Sequence, residues 1–442
     1  MSEQLGLREV VAMGVGGLIG GGIFAVLGVA AEIAGNATFL AYLIAGGVAM
    51  ASGYSYARLT AHLDEEGGSF TFIEHYTGNE NIAGLVGWTL IVGYIGTMAM
   101  YAFAFGSFVA DLLVGTSDTW LRGVLSIGII VMFTGVNLMG VRESGESQDI
   151  LVYVKVAILF AFGLVGLWTI FVGHRTQPFV GGIFSKGLLA PIVGIGAIFV
   201  SFEGFQLLSY EYTDIEGGID TMETGIYLWI AVSTVIYVLV AFVTTTVLSP
   251  EQILQSKETV LAVAASMLFT DPLIQRAAFV LVAIAALFST TSAINATLFG
   301  TARLAYKVAN EGVLPQLFSF RNKNGIPTWS LIIIAGLTAI FTALGTLEEI
   351  TSFASIAFAL VFGMVNYICL QDSDIDRTPL IPGIGLVGTV SFLPLILWHY
   401  LRTQPKMLYS VGGIFLALVV LELAYSERRR LESPSTSGPR NQ

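Results

Sequence analysis

The sequence predicts an all-α integral membrane protein that crosses the bilayer twelve times. Composition, hydropathy and block length predict it. Of the 442 residues, 55% are hydrophobic and 12% charged, about half the charged fraction of an ordinary soluble domain. The mean hydropathy is +0.79. The apolar residues fall in long blocks, and a helix needs roughly 20 such residues to span the hydrocarbon core.

The twelve blocks run over 8–33, 36–62, 82–110, 119–139, 147–172, 188–212, 225–248, 272–305, 327–345, 350–371, 381–400 and 405–425. They form one transmembrane domain over residues 1–425. The first block follows Glu3, Arg8 and Glu9 and is too long for the apolar core of a signal peptide, so it reads as a retained helix. The tail 426–442 is charged and rich in Ser and Pro. It reads as disordered and cytoplasmic, with no soluble domain appended.

An even number of crossings puts both termini on one side. With the termini in the cytoplasm, twelve lysines and arginines fall inside, among them Arg8, Arg58, Arg142 and Arg303, and seven fall outside, among them Lys186, Lys257 and Arg276. That excess favours cytoplasmic termini. Trp120, Trp168, Trp229, Trp329 and Trp398 fall near block ends, where indole rings anchor at headgroups.

The formal net charge is −11, with acids concentrated in connections: Asp64, Glu65 and Glu66; Asp214, Glu216, Asp220 and Glu223; Asp372, Asp374 and Asp376. This is the wrong footprint for nucleic acid. It fits either a high-salt habitat or ordinary solvated loops. The single cysteine, Cys369, allows no intrachain disulfide and no cysteine cluster, and neither metal nor cofactor is expected. His62, His75, His174 and His399 are scattered, and no HExxH helix or Gly-x-Ser-x-Gly elbow is present. Enzyme activity is not expected.

Two blocks are interrupted by glycine. The first reads Gly14-Val15-Gly16-Gly17-Leu18-Ile19-Gly20-Gly21-Gly22-Ile23-Phe24. Glycine costs about 1 kcal/mol in a helix interior relative to alanine, so three in a row make this centre easy to unwind. Unwound backbone persists in a bilayer only where it lines a cavity or binds something. A half-helix starting near Ile23 then presents amides suited to a carboxylate. The sixth block reads Gly194-Ile195-Gly196-Ala197-Ile198-Phe199-Val200-Ser201-Phe202-Glu203-Gly204-Phe205-Gln206. It places a glycine and an acid near mid-membrane. Broken helices in matching positions of two repeats point to a transporter site. Close helix packing is the competing explanation of so many glycines. It accounts for Gly46-Gly47 or Gly181-Gly182 better than for the run Gly20–Gly22.

At these residues the chain resembles the amino acid–polyamine–organocation (APC) transporter superfamily. Ile19-Gly20-Gly21-Gly22-Ile23-Phe24 is similar to its first-helix signature, and Asn137-Leu138-Met139-Gly140-Val141-Arg142-Glu143-Ser144 to its loop before helix 5. Leu287-Phe288-Ser289-Thr290-Thr291-Ser292-Ala293-Ile294-Asn295-Ala296, with Arg303 and Glu311-Gly312-Val313-Leu314-Pro315 beyond, resembles its helix 8 and following loop. The resemblance covers nearly the whole chain. It implies a LeuT-like five-plus-five inverted repeat (about 8–172 and 188–371) with two extra helices (381–425) and alternating access. It also implies a substrate site made of Gly20, Gly21 and Gly22 amides for a carboxylate, and carbonyls near Leu18, Val200 and Glu203 for the α-amino group. Gly204 lies at the second break, and Phe199 and Phe202 are its candidate gating aromatics. Helices 3, 6 and 8 would set side-chain specificity. In one departure, the family's frequent Gly-Phe-Glu is here Gly204-Phe205-Gln206, with the acid at Glu203.

Lys155 lies about eight residues into the fifth block, or ~12 Å. Either its stem snorkels to the interface, or it is a buried amine that gains and loses a proton. By resemblance to proton-coupled members it matches a helix 5 lysine that replaces a sodium ion between helices 1 and 8. Ser289, Ser292 and a carbonyl near Gly16 are its implied neighbours. Glu203 has three readings: pairing with a cationic substrate, carrying a proton, or staying protonated in the bundle. The expected function is secondary active transport of an amino acid across the plasma membrane, coupled to protons, with the lipid bilayer as surroundings. A sodium symporter, an obligate amino acid or polyamine exchanger and a non-transporting sensor are the alternatives. A channel lacks its continuous polar lining.

Overall fold

The computed structural model describes residues 5–19, 21–64, 68–115, 119–140, 145–173, 182–310, 312–323, 325–371, 378–406, 408–410, 412–414, 416–417 and 419–420. Gly20, residues 141–144, His174, Glu65, Glu66, Asp372, Asp374, Asp376 and the tail 426–442 lie outside them. Among the described residues there are helices and no strand.

The first block divides into α1 (Leu7–Leu18) and α2 (Gly22–Ala34). Then come α3 (Thr38–Leu63), α4 (Ser69–Thr77), α5 (Glu80–Val114), α6 (Thr119–Leu138) and α7 (Gly145–Phe171). The sixth block opens as α8 (Ala190–Ile198) and continues as 3₁₀ turns over Phe199–Phe202 and Phe205–Tyr210. After it come α9 (Gly218–Val247), α10 (Pro250–Gln255), α11 (Val260–Met267) and α12 (Pro272–Asn310). The last named helices are α13 (Thr328–Leu344), α14 (Leu347–Gln371) and α15 (Leu380–Thr403). The described residues between 405 and 420 are helical.

Nine stretches among the described residues are long and apolar enough to cross a membrane, and α13 is a shorter apolar helix. One of the nine, Gly22–Leu63, has 42 residues and turns at Gly35–Ala37. At 1.5 Å per residue it is about 63 Å long, twice a ~30 Å hydrocarbon core. The chain is therefore a multi-pass membrane protein. Large apolar side chains such as Val131, Met132, Trp168, Phe171, Leu344 and Val387 stand on its outer surface, as lipid contact requires. The interrupted sixth block is the most enclosed stretch, whereas α6 and α15 lie at the rim.

Three short helices occupy what the sequence leaves as connections. One of them, α10, has a clear local cause. Ser249 accepts from the Gln252 N–H while the Gln252 side chain accepts from the Ser249 N–H, and Pro250 fills the first turn. Similarly, the Asn79 side chain accepts from the N–H groups of Asn81 and Ile82 and starts α5 before its apolar block.

Contacts between connections divide them into two ends. At one end the Leu5 N–H donates to the Asp214 carbonyl (2.8 Å) and the Leu5 carbonyl accepts from the Glu216 N–H (2.9 Å). Tyr212 there donates to the Asp64 carboxylate (3.0 Å). At the other, Thr259 donates to Asp111 (3.0 Å), and Lys257 joins Glu32 and Glu348. A chain passing back and forth through a bilayer sorts its connections in this way. Between the ends, interhelical amides tie helices together: Asn137 donates to Asn295 (2.8 Å) and Asn366 to Ser52 (2.9 Å).

Trp229 departs from the expectation for tryptophans. Trp120, Trp168, Trp329 and Trp398 are exposed, but Trp229 is buried. It lies eleven residues into α9, where its ring fills the space that a Cβ on Gly14 of α1 would take. Gly14→Val should therefore overpack the α1–α9 contact by about 1–3 kcal/mol. Gly17→Ala, with nothing within 4 Å of an added Cβ, should stay within about 1 kcal/mol of the parent. Apparent melting temperatures in detergent check the contrast: a clear drop for Gly14→Val and little change for Gly17→Ala.

Candidate substrate site at the two helix breaks

Helix 1 ends at Leu18 and restarts at Gly22, one residue before the expected Ile23. No side chain caps the new N-terminus at Gly21. The first amides of α2 thus have no partner within their own helix, in the half-helix geometry that favours an anion. In the sixth block, the backbone turns extended at Glu203 (ψ 142°) and Gly204 takes φ +129°. Side chains rarely adopt that φ and glycine takes it readily. Beyond the break the chain continues as 3₁₀ turns, not as the regular half-helix of the first block.

The breaks lie side by side. A Cβ on Gly22 would stand 2.9 Å from Ser201 Cα, and one on Gly204 would stand 3.8 Å from Leu18 Cδ2. At Gly22 a side chain would force the backbones apart, whereas Gly204 has room for a Cβ and is set by its φ. The ring of Tyr101, from α5, lies over Gly21.

Released backbone groups find side-chain partners. The Tyr237 hydroxyl of α9 reaches the Leu18 carbonyl and, at 3.2 Å, the Ser201 carbonyl, so one phenol touches both breaks. Ser289 of α12 donates to the Ile19 carbonyl (2.6 Å). Ser355 of α14 accepts from the Val200 N–H (3.0 Å) and donates to the Ala197 carbonyl (3.1 Å). The Gln206 side chain accepts from the Gly204 N–H (2.8 Å) and donates to the Tyr94 hydroxyl (3.0 Å). The Val200 carbonyl accepts from the Glu203 N–H (3.1 Å).

The candidate residues named from sequence are partly brought together. Leu18, Gly21, Gly22 and Gly204 lie where the breaks meet, Val200 is next in the chain to Ser201 there, and Gly20 falls outside the described residues. Glu203 is buried beside the Gln206 side chain. Phe202 packs against Tyr42 and Tyr237, with ring centroids 6.5 and 5.4 Å away. Phe199 turns away from the breaks toward Phe362 and Phe392, at 5.9 and 5.5 Å. Of the two candidate gating aromatics, only Phe202 touches the hydroxyl-bearing ring at the breaks.

Lys155 is 4% exposed, ten residues into α7. At roughly 15 Å from the helix start, burial places it inside the bundle and removes the snorkelling reading. Its helix packs against α1, α9 and α12. Ser289, buried on α12, donates to the Ile19 carbonyl at the break, and Gly16 lies inside α1. Ser292, three residues on, is half-buried.

Tyr237, Ser355 and the bridging part of Gln206 were missed from sequence. A signal for the first was present. Trp229, Ser233 and Tyr237 recur every fourth residue along this helix, so all three lie on one face. That face meets α1 at Gly14 and Leu18.

A family profile described as "Amino acid permease" matches residues 5–420. The chain is 30% identical to the inner membrane transport protein YbaT of Escherichia coli, over 95% of this chain and 96% of the relative. It is 25% identical to the branched-chain amino acid permease BcaP of Lactococcus lactis, over 97% and 96%. Against the methylthioribose transporter of Bacillus subtilis the figures are 25%, 93% and 94%. These relatives are transporters and permeases, not enzymes. The chain belongs to the amino acid permease family of the APC superfamily.

Proposed function

We propose that this protein carries an amino acid across the plasma membrane by alternating access, driven by protons. One observation carries the reading: two interrupted helices meet at their breaks, with uncapped amides at Gly21–Gly22 on one side and the Leu18 and Ser201 carbonyls converging on the other. An α-amino acid has the matching polarity. Its carboxylate suits the N-terminus of α2. Its ammonium brings three N–H donors to the place where Tyr237 now supplies one. The relatives include carriers of branched-chain amino acids and of methylthioribose, so an uncharged side chain is the first class to test. Glu203 makes cationic substrates the second.

The proton part rests on Lys155. Burial in the membrane makes an ionisable side chain a functional candidate, and α7 packs on α1 below its break and on α12, whose Ser289 holds the Ile19 carbonyl. A proton arriving at or leaving the amine changes the charge beside the first break. The wider arrangement proposed is twelve spans, the repeats 8–172 and 188–371 related by inversion, helices 381–425 outside them, and both termini cytoplasmic. The sorting of connections into two ends and the excess of basic residues on the cytoplasmic side support it.

Uptake into proteoliposomes tests the function directly. An acidic exterior should raise uptake without sodium; binding with no flux under any gradient would make the chain a sensor. In Lys155→Ala, the pH-driven component should vanish, while a thermal shift by the same amino acid persists. Sodium-driven uptake in that variant would overturn proton coupling. Tyr237→Phe keeps the ring and removes the hydroxyl. Losing its hydrogen bonds should slow exchange about three- to tenfold, for roughly 0.5–1.5 kcal/mol. Unchanged exchange kinetics would remove Tyr237 from the site.

A further inference from the structure

The turn between α10 and α11 holds Lys257, which uses both its backbone and its side chain on α2 and α14. Its carbonyl sits in the notch left by Gly28 of α2. Its ammonium pairs with Glu32 of α2, one helical turn beyond that notch, and with Glu348 at the start of α14 (3.2 Å). Gln404 donates to the same Glu348 oxygen (3.0 Å), and Thr259 anchors the turn to Asp111 of α5. Glu348 is 7% exposed and Lys257 is 20% exposed.

Each helix clasped by Lys257 leads to one of the breaks. The α2 helix begins at the first break. Ser355 of α14, which holds the second break through Ala197 and Val200, lies seven residues from Glu348 and on the same face. We propose that Lys257 is the pin of a gate on the face opposite the N-terminus. With the pin in place α2 and α14 stay together and the breaks are shut off from that face. When it withdraws, the two helices can part. Burial works against the ammonium, but Glu32 and Glu348 outweigh it and hold the Lys257 pKa above the ordinary lysine value. The pin therefore stays charged, and release means separating charges, which needs no proton. Calling this face the outer one rests on the orientation proposed above.

A thiol reporter tests the gate without any transport. In a Cys369→Ala background, Ser201→Cys places the only cysteine at the meeting of the breaks, and a charged, membrane-impermeant thiol reagent reads its access from each side of sealed vesicles. Lys257→Gln should speed labelling from the outer side about tenfold, as expected for a tenfold shift in the open population. Lys257→Arg should leave it near the parent, and Lys257→Glu combined with Glu348→Lys should slow it again. Raising salt from about 10 mM to about 0.5 M should speed the parent but not Lys257→Gln, because salt screens ion pairs. Glu348→Gln serves as the second pin-breaking variant should Lys257→Gln fail to fold. Equal labelling in the parent and a folded pin-breaking variant would overturn the gate. Acceleration from the cytoplasmic side alone would overturn its outer placement and the orientation with it. A chain that binds an amino acid without moving it would still give the labelling result.

Discussion

Hydrocarbon offers nothing to an unpaired peptide group, and the centre of this molecule is arranged around that constraint. Two helices give up ladder bonds in mid-path, and several of the carbonyls and amides released there meet a side chain. Ser289 takes Ile19, Tyr237 takes Leu18 and Ser201, and Ser355 takes Ala197 and Val200. Gln206 takes the Gly204 N–H from within the break itself. No side chain caps the first amides of α2. A break whose released groups are met by side chains is a stable element, and the donors left at a helix N-terminus suit an anion.

The same hydrogen bonds impose an architecture. Ser289, Tyr237 and Ser355 come from α12, α9 and α14, so the breaks can exist only where three helices surround them. Close approach then selects residue size: Gly22 faces Ser201, and Gly14 receives the Trp229 ring. The apolar surface left over faces outward to lipid. Charge is scarce in the interior, and Lys155 and Glu203 are buried within the bundle.

Much of this was legible in the sequence, because block length and glycine runs report directly on bilayer thickness and backbone freedom. The first eleven blocks correspond to helices, most within five residues although α9 begins seven residues early, and both breaks fall at the glycines that mark them. Three kinds of feature were not legible. The short helices α4, α10 and α11 depend on caps and packing at loop level, where hydropathy carries no signal. Trp229 looked like an interfacial ring because position along a block says little about which side of the helix it faces. The partners of the breaks were hidden because a serine or tyrosine in an apolar helix reads the same whether it bonds its own turn or another helix's carbonyl. Ser201 and Ser355 differ in role without differing in sequence context.

The two ends of the molecule are fastened by different chemistry. Beside the N-terminus, Leu5 joins Asp214 and Glu216 through main-chain groups alone. At the opposite end the clasp is made of side-chain charge. Mutation acts on side chains, so the first fastening can drift in sequence at almost no cost. Short of proline, no single replacement erases its N–H donors. The second is set by three residues and by the ionic composition of the water beside it. The Leu5 fastening is thus buffered against genetic change and its surroundings, while the Lys257 clasp is open to tuning by both.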